Sequence, residues 1–117
     1  MITDKSRDRS VVSKMLMYCD RINIVMERFG RSHETFLNDF MFHDVLSMEI
    51  FQIGELCNHF SDDFRNSHPD IPWRDIKGMR NLFAHSFYEM DIEIIWNTAL
   101  YNIPDIRKFC EDIINQK

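Results

Sequence analysis

Arg80-Asn81-Leu82-Phe83-Ala84-His85 sets an arginine, an asparagine and a histidine within one short stretch. Arginine offers a planar, permanently charged fork that matches a phosphate. Histidine, with an ordinary pKa of about 6.5, takes or gives a proton at neutral pH. The pair suits RNA cleavage in which the substrate's own 2′-OH attacks the adjacent phosphorus. His85 would remove the proton and Arg80 would offset charge on the phosphorane. That route needs neither a metal nor a protein nucleophile. Asn81 lies four residues before His85 and shares its helix face. Lys77 and Arg74 fall roughly one and two turns before Arg80, where they could track an RNA backbone.

Helix geometry complicates the pairing. Arg80 sits about 100° around a helix from Asn81 and about 140° from His85. One straight helix does not aim Arg80 and His85 at one atom. They converge if the helix ends near His85, or if a second copy of the motif supplies one of them, as a symmetric dimer would. The plainer alternative is a capping and hydrogen-bond network near a helix end.

Other chemistries find little footing. The chain has no phosphate-binding glycine loop, no HExxH and no GxSxG. His33, His43, His59, His68 and His85 have no second ligand at metal spacing, so neither a metal site nor a cofactor is expected. Cys19, Cys57 and Cys110 are far apart, odd in number and set among apolar residues. They read as buried free thiols in a reducing cytoplasm. The eight methionines suit helix packing.

The elements that must hold such a site read as helices. With 117 residues, the chain is expected to form one domain over 1–117. Hydrophobic residues make up 44%, which excludes intrinsic disorder, and no run approaches the ~20 apolar residues of a membrane span. The start, MITDKSRDRS, lacks the apolar region of a signal peptide. Three Gly and three Pro are too few for a series of β-hairpins. The net charge of -5 argues against wholesale wrapping of nucleic acid, though not against a local basic site. Charge is uneven: residues 1–31 carry a net +3, residues 32–117 a net -8, and no Lys or Arg occurs from Ser32 to Phe64. Solvated helix faces of opposite sign, or a surface for a partner, would account for that.

Val12, Met15, Cys19, Ile22, Met26 and Phe29 step by three and four, which predicts a first helix capped by Ser10 and ended by Gly30. A second helix, capped by Ser32, carries Phe36, Phe40 and Phe42 and then the stripe Leu46, Ile50, Ile53, Cys57, Phe60. Gly54 within it would let a neighbouring helix come close. Ser61-Asp62-Asp63 reads as a stop followed by one turn. Ser67 to Pro72 is the clear loop, and Pro72 suits the first turn of a third helix bearing Trp73, Ile76, Met79 or Arg80, and Phe83. Asp91 is the expected N-cap of a fourth helix with Ile95, Ala99, Ile103, Ile106, Cys110 and Ile113 on one face. Pro104 should kink that helix or break it briefly. Trp73 and Trp96 read as core or interface anchors. The fold expected is all-α: a small antiparallel bundle of four main helices.

Four motifs taken together go further. Ile53-Gly54-Glu55-Leu56, Pro69-Asp70-Ile71-Pro72-Trp73, Gly78-Met79-Arg80-Asn81 and His85 resemble the HepT family of the HEPN superfamily. Asp91-Ile92, Ile95-Trp96 and Ile103-Pro104 fit the same family's final helix. The resemblance runs from about Asp44 to Ile114. It implies a homodimeric, all-helical, metal-independent ribonuclease, with Arg80 and His85 as the catalytic pair in a cleft at the dimer interface. Asn81 would orient His85 or touch phosphate. Many members are toxins held by a minimal nucleotidyltransferase antitoxin, which transfers AMP to a tyrosine two residues after the histidine. Here that position is Phe87, and Tyr88 follows. Tyr88 is therefore the candidate for modification; the alternative is that Tyr88 is a packed aromatic and the partner inhibits by binding alone. Glu55 is a candidate orienter of Arg80, or a member of a surface or interhelical salt bridge. The contrasting expectation is a helical binding module without nuclease activity, the recognition partner of a nucleotidyltransferase. The acidic charge and Phe87 favour it, and toxicity on expression separates the two.

Overall fold

The computed structural model describes residues 3–78 and 92–116. Within them the regular structure is helical, with no strand. Helix α1 spans Asp4–Arg28. Its N-cap is Thr3, whose hydroxyl accepts from the Ser6 amide at 3.1 Å, so Ser10 lies inside the helix and is not its cap. The apolar stripe begins only at Val11, because the first two turns are polar and mostly exposed; apolar spacing therefore marks the start too late. Asp4 in the first turn complements the positive helix end. Gly30, at φ 72°, ends α1 as expected. Its amide donates to the Glu27 carbonyl and the Arg31 amide to that of Met26, a paired closure that needs a left-handed residue at Gly30.

The expected single second helix is two helices, α2 (His33–Asn38) and α3 (Phe40–Cys57). Ser32 caps α2 as predicted, accepting from Thr35. Asp39 is extended, at φ -110° and ψ 108°, and its carboxylate accepts from the Met41 amide at 2.9 Å. The bend has a packing cause. Six residues apart on one straight helix, Phe36 and Phe42 would point about 120° from each other. With the break at Asp39 both are fully buried, ring edge against ring face at 5.5 Å. Helix α4 (Asp62–Ser67) follows, capped by Ser61. After the loop, helix α5 begins at Trp73 and is helical through 73–78, with the Asp75 and Ile76 amides donating to the Pro72 carbonyl. The last helical run comprises α6 (Ile92–Asn97), a π-helical turn (Thr98–Asn102) and α7 (Ile103–Asn115). Pro104 neither ends nor breaks it. Proline has no N–H for the Leu100 carbonyl, and the turn before it widens, with the Ile103 amide reaching back to Thr98. Asn97, Asn102 and Ile103 keep right-handed helical angles. The Asp91 cap, Met79 and Phe83 lie outside the described residues.

Cross-contacts set the directions. Asp8 meets Ser61, Arg21 meets Glu49 and Phe29 stacks on Phe42, so α3 runs antiparallel to α1. Arg107 meets Asp20 and Arg9 donates to the carbonyls of Ile113 and Ile114, so α7 also runs antiparallel to α1. The core lies between these three helices. It contains the predicted stripes: Val12, Met15, Cys19, Ile22 and Met26; Leu46, Ile50, Ile53, Cys57 and Phe60; Ile95, Ala99, Ile103, Ile106 and Cys110. Gly54 is buried with them. All three cysteines are free and buried. Burial pushes the Cys57 and Cys110 thiols up to about 12 and raises Cys19 as well, so none is a thiolate at neutral pH.

Candidate active site

The loop before α5 is pinned by its aromatic neighbours. The Trp73 indole donates to the His68 carbonyl at 3.0 Å. Its ring packs against Phe60, Phe64 and Phe109. His68 closes the cluster, with its ring 4.6 Å from Phe64 and 5.0 Å from Phe109. The loop is thereby held to both α4 and α7, and the start of α5 has one orientation. Trp96 is the second anchor, buried against Phe36 and Phe42.

From that fixed start, Arg74 reaches the wall of a cavity of about 490 Å³. Its floor is apolar, from Ile50 and Ile53 of α3 and Ile103 and Ile106 of α7. Arg74, Asp75, Thr98 and Asn102 bring polar groups to it. Lys77 is exposed and is not part of the lining. Neither Arg74 nor Lys77 makes an ion pair among the described residues, and both are exposed. Glu55 is partly buried near the end of α3. Arg80, Asn81, His85, Phe87 and Tyr88 lie outside the described residues. The structure thus places Arg74 and Lys77 on the described part of α5.

Two features had little or no sequence signal. His33 sits within 2.7 and 2.9 Å of the two Glu93 oxygens and tilts over Trp96, joining residues 60 apart in the chain. Asn102 and Thr98, which line the cavity, lie on the π-helical turn; the one sequence hint of that turn was Pro104 two residues on. Among the described residues no group of three or more His, Cys, Asp or Glu is arranged to hold a metal. No described helix is long and apolar enough to cross a membrane.

The sequence pattern of the family described as "Ribonuclease HepT-like" matches residues 15–113. This chain belongs to the HepT-like ribonuclease family. The match contains α3, the pinned loop, α5 and the Arg80–His85 stretch. Named relatives agree. "Putative RNase TTE0752" of Caldanaerobacter subterraneus subsp. tengcongensis is 29% identical over 110 residues, covering 93% of this chain and 96% of that protein. "Probable ribonuclease HepT" of Thermococcus cleftensis is 33% identical over 87 residues, covering 71% and 77%. "Putative RNase MJ0125" of Methanocaldococcus jannaschii is 33% identical over 100 residues, covering 86% and 84%. No solved structure matches the chain significantly. The HepT-like assignment supports ribonuclease chemistry and agrees with the all-helical fold.

Proposed function

We propose that this HepT-like chain is a metal-independent RNA endonuclease and the toxin of a toxin–antitoxin pair. The observation that carries the reading is the family match over 15–113, a range that includes Arg80, Asn81 and His85. His85 takes the proton from a ribose 2′-OH, whose oxygen attacks the neighbouring phosphorus. Arg80 compensates charge on the phosphorane, and the 5′-oxygen leaves with a proton returned to it. The products are a 2′,3′-cyclic phosphate and a 5′-hydroxyl. Asn81 orients His85 or contacts phosphate. Arg74 and Lys77, exposed on α5, add phosphate contacts upstream, and Glu55 orients Arg80. The active form is a homodimer in the cytoplasm. A minimal nucleotidyltransferase antitoxin silences it, with Tyr88 as the acceptor of AMP.

Growth on induced expression of the chain alone tests this. Wild type should arrest growth, and a His85→Ala variant that retains the helical circular dichroism and cooperative melting of wild type should not. Arrest by the folded variant overturns the catalytic assignment. No arrest by soluble wild type free of AMP favours the binding-module reading, to which the acidic charge and Phe87 point.

A further inference from the structure

In the hollow between the start of α1, α4 and the end of α7, the polar groups are already engaged. Arg9 donates there to the carbonyls of Ile113 and Ile114, and Asp8 accepts from Ser61. The cavity of about 490 Å³ beside α5 differs. Arg74, Asp75 and Asn102 are exposed at its rim. None of the three makes a side-chain hydrogen bond or ion pair among the described residues. Beneath them Ile50, Ile53, Ile103 and Ile106 are at most 4% exposed. An apolar floor edged by a few unengaged polar groups, at this volume, is the general form of a small-molecule or base-sized site.

Rim and floor together select a ligand chemistry. Arg74 takes an anionic oxygen, and its planar fork suits phosphate. Ionised Asp75 is an acceptor only, whereas Asn102 offers a carbonyl and two N–H groups. The isoleucine floor takes the face of a flat ring. A fatty acid would leave Asp75 and Asn102 without partners, and a sugar phosphate would leave the isoleucines without one. An adenine nucleotide uses every group. Asn102 accepts from N6 and donates to N7, the pairing by which asparagine reads adenine. The second N6 hydrogen goes to Asp75 and the phosphate to Arg74. Guanine in the same pose would set O6 against the Asp75 carboxylate, acceptor against acceptor. A base can lay its face on such a floor only when it is unstacked, as in single-stranded RNA. Gly78 lines the same cavity and is two residues before Arg80, so chain connectivity keeps their α-carbons within ~7 Å.

We propose that this cavity is a subsite for an unpaired adenine of an RNA strand, with Asn102 and Asp75 setting base specificity and Arg74 holding the adjacent phosphate. The proposal deepens the ribonuclease reading and rests on it for the identity of the strand. Binding of 2′-fluoro oligomers, which lack the attacking hydroxyl, to the full chain tests it by fluorescence anisotropy. Wild type should bind a uridine nonamer with one central adenine ~10-fold or more tighter than the all-uridine nonamer. Asn102→Ala together with Asp75→Ala should bring that ratio to about one. Arg74→Ala should weaken binding of both oligomers and lower the slope of log affinity against log salt by ~0.7. Tyr101→Ala, exposed on the same π-helical turn but outside the lining, should keep the ratio. All four positions are exposed, and unchanged circular dichroism and melting verify the fold of each variant. Equal affinity of wild type for the two nonamers, or binding of neither, overturns the subsite. So does a preference that survives the double variant or is lost with Tyr101→Ala. Tighter binding of a nonamer with one central guanine overturns the adenine assignment. Cleavage of unmodified RNA is scored apart: adenine preference without cleavage counts against the ribonuclease reading and keeps the subsite, and cleavage without preference does the reverse.

Discussion

Removing the Asp8 carboxylate should cost this protein about 3 kcal/mol, and the geometry fixes why. Asp8 is 6% exposed on α1, and both its oxygens are used by one residue. One accepts from the Ser61 amide at 2.8 Å and the other from the Ser61 hydroxyl at 2.6 Å. Hydrogen bonds to a charged group contribute roughly 1.5–3 kcal/mol each, and two on one residue do not simply add. Asp8→Ala also leaves the buried Ser61 amide unpartnered. Ser61 is the N-cap of α4, so the loss loosens the join between α1 and the segment that leads to α5. For a chain of 117 residues the entropy of unfolding is about 0.25 kcal/mol/K, so ~3 kcal/mol lowers the melting temperature by ~12 °C. Asp8→Asn keeps one acceptor and the shape, and should lower it by only ~4 °C, about 1 kcal/mol. Glu27→Ala is the control. Its partner Arg31 is on the surface, where an ion pair contributes ~0.5 kcal/mol at most. Thermal unfolding followed at 222 nm, with urea titration for the free energy, reads all three. A melting temperature for Asp8→Ala within ~3 °C of wild type would refute the reasoning.

Arg21→Ala should destabilise by ~2 kcal/mol, since it strands the Glu49 carboxylate, 8% exposed, whose Oε2 already lacks a partner among the described residues. In a urea-unfolding double-mutant cycle, Arg21→Ala with Glu49→Ala should cost clearly less than the two singles together. Gly30→Ala should cost ~1 kcal/mol through backbone strain alone, because φ is +72° and no atom lies within 4 Å of the added methyl; a melting temperature unchanged within 1 °C counts against the left-handed closure. All three thiols should resist a thiol-reactive dye at pH 8 in the folded protein and react when guanidinium unfolds it. The raised folded pKa values of Cys57 and Cys110 mean that the unfolded chain loses those protons first, so stability is full below about pH 9 and falls as pH climbs toward about 12. A stability that rises over pH 9–10.5 contradicts that sign. Cleavage of RNA should persist in excess EDTA and leave 2′,3′-cyclic phosphate ends; 3′-hydroxyl ends would exclude attack by the 2′-OH.

What could be read from the sequence follows the physics of each signal. Apolar steps of three and four report which face is buried, and every described residue of the three long stripes is buried or partly so. They do not report where a helix begins when its first turns are polar, which is why Thr3 and not Ser10 caps α1. Nor do they register a bend between two bulky residues on different faces. Phe36 and Phe42 both look helical, and Asp39 looks like any surface acid until packing demands a turn there. Pro104 announced a perturbation, but whether the chain breaks or widens depends on the neighbours that hold Thr98 and Asn102 in place. For the site, residue types and spacing supplied Arg80, Asn81 and His85 as candidates, which lie outside the described residues, and helical phase supplied Arg74 and Lys77, which are exposed on α5. Contacts between distant segments, such as His33 with Glu93, left no local trace.

The scaffold also explains how so small a chain fixes the start of a short helix. An isolated helix as short as the described part of α5 is marginal in water, so its direction must come from packing. Trp73 supplies it at the first residue: one hydrogen bond to His68 and ring contacts to Phe60, Phe64 and Phe109 tie the helix start to α4 and α7. Asp8 ties the same region to α1 through Ser61. If the proposed catalytic stretch at Arg80 takes its placement from this anchor, small shifts here cost rate, because misplacement by about 1 Å is enough to slow catalysis. Trp73→Leu should therefore lower RNA cleavage by at least ~10-fold at a temperature where the chain stays folded. His85→Ala should abolish cleavage with no change in melting temperature. The opposite pattern, full activity in Trp73→Leu alongside a large loss of stability, would separate the anchor from the site and leave Trp73 a purely structural residue.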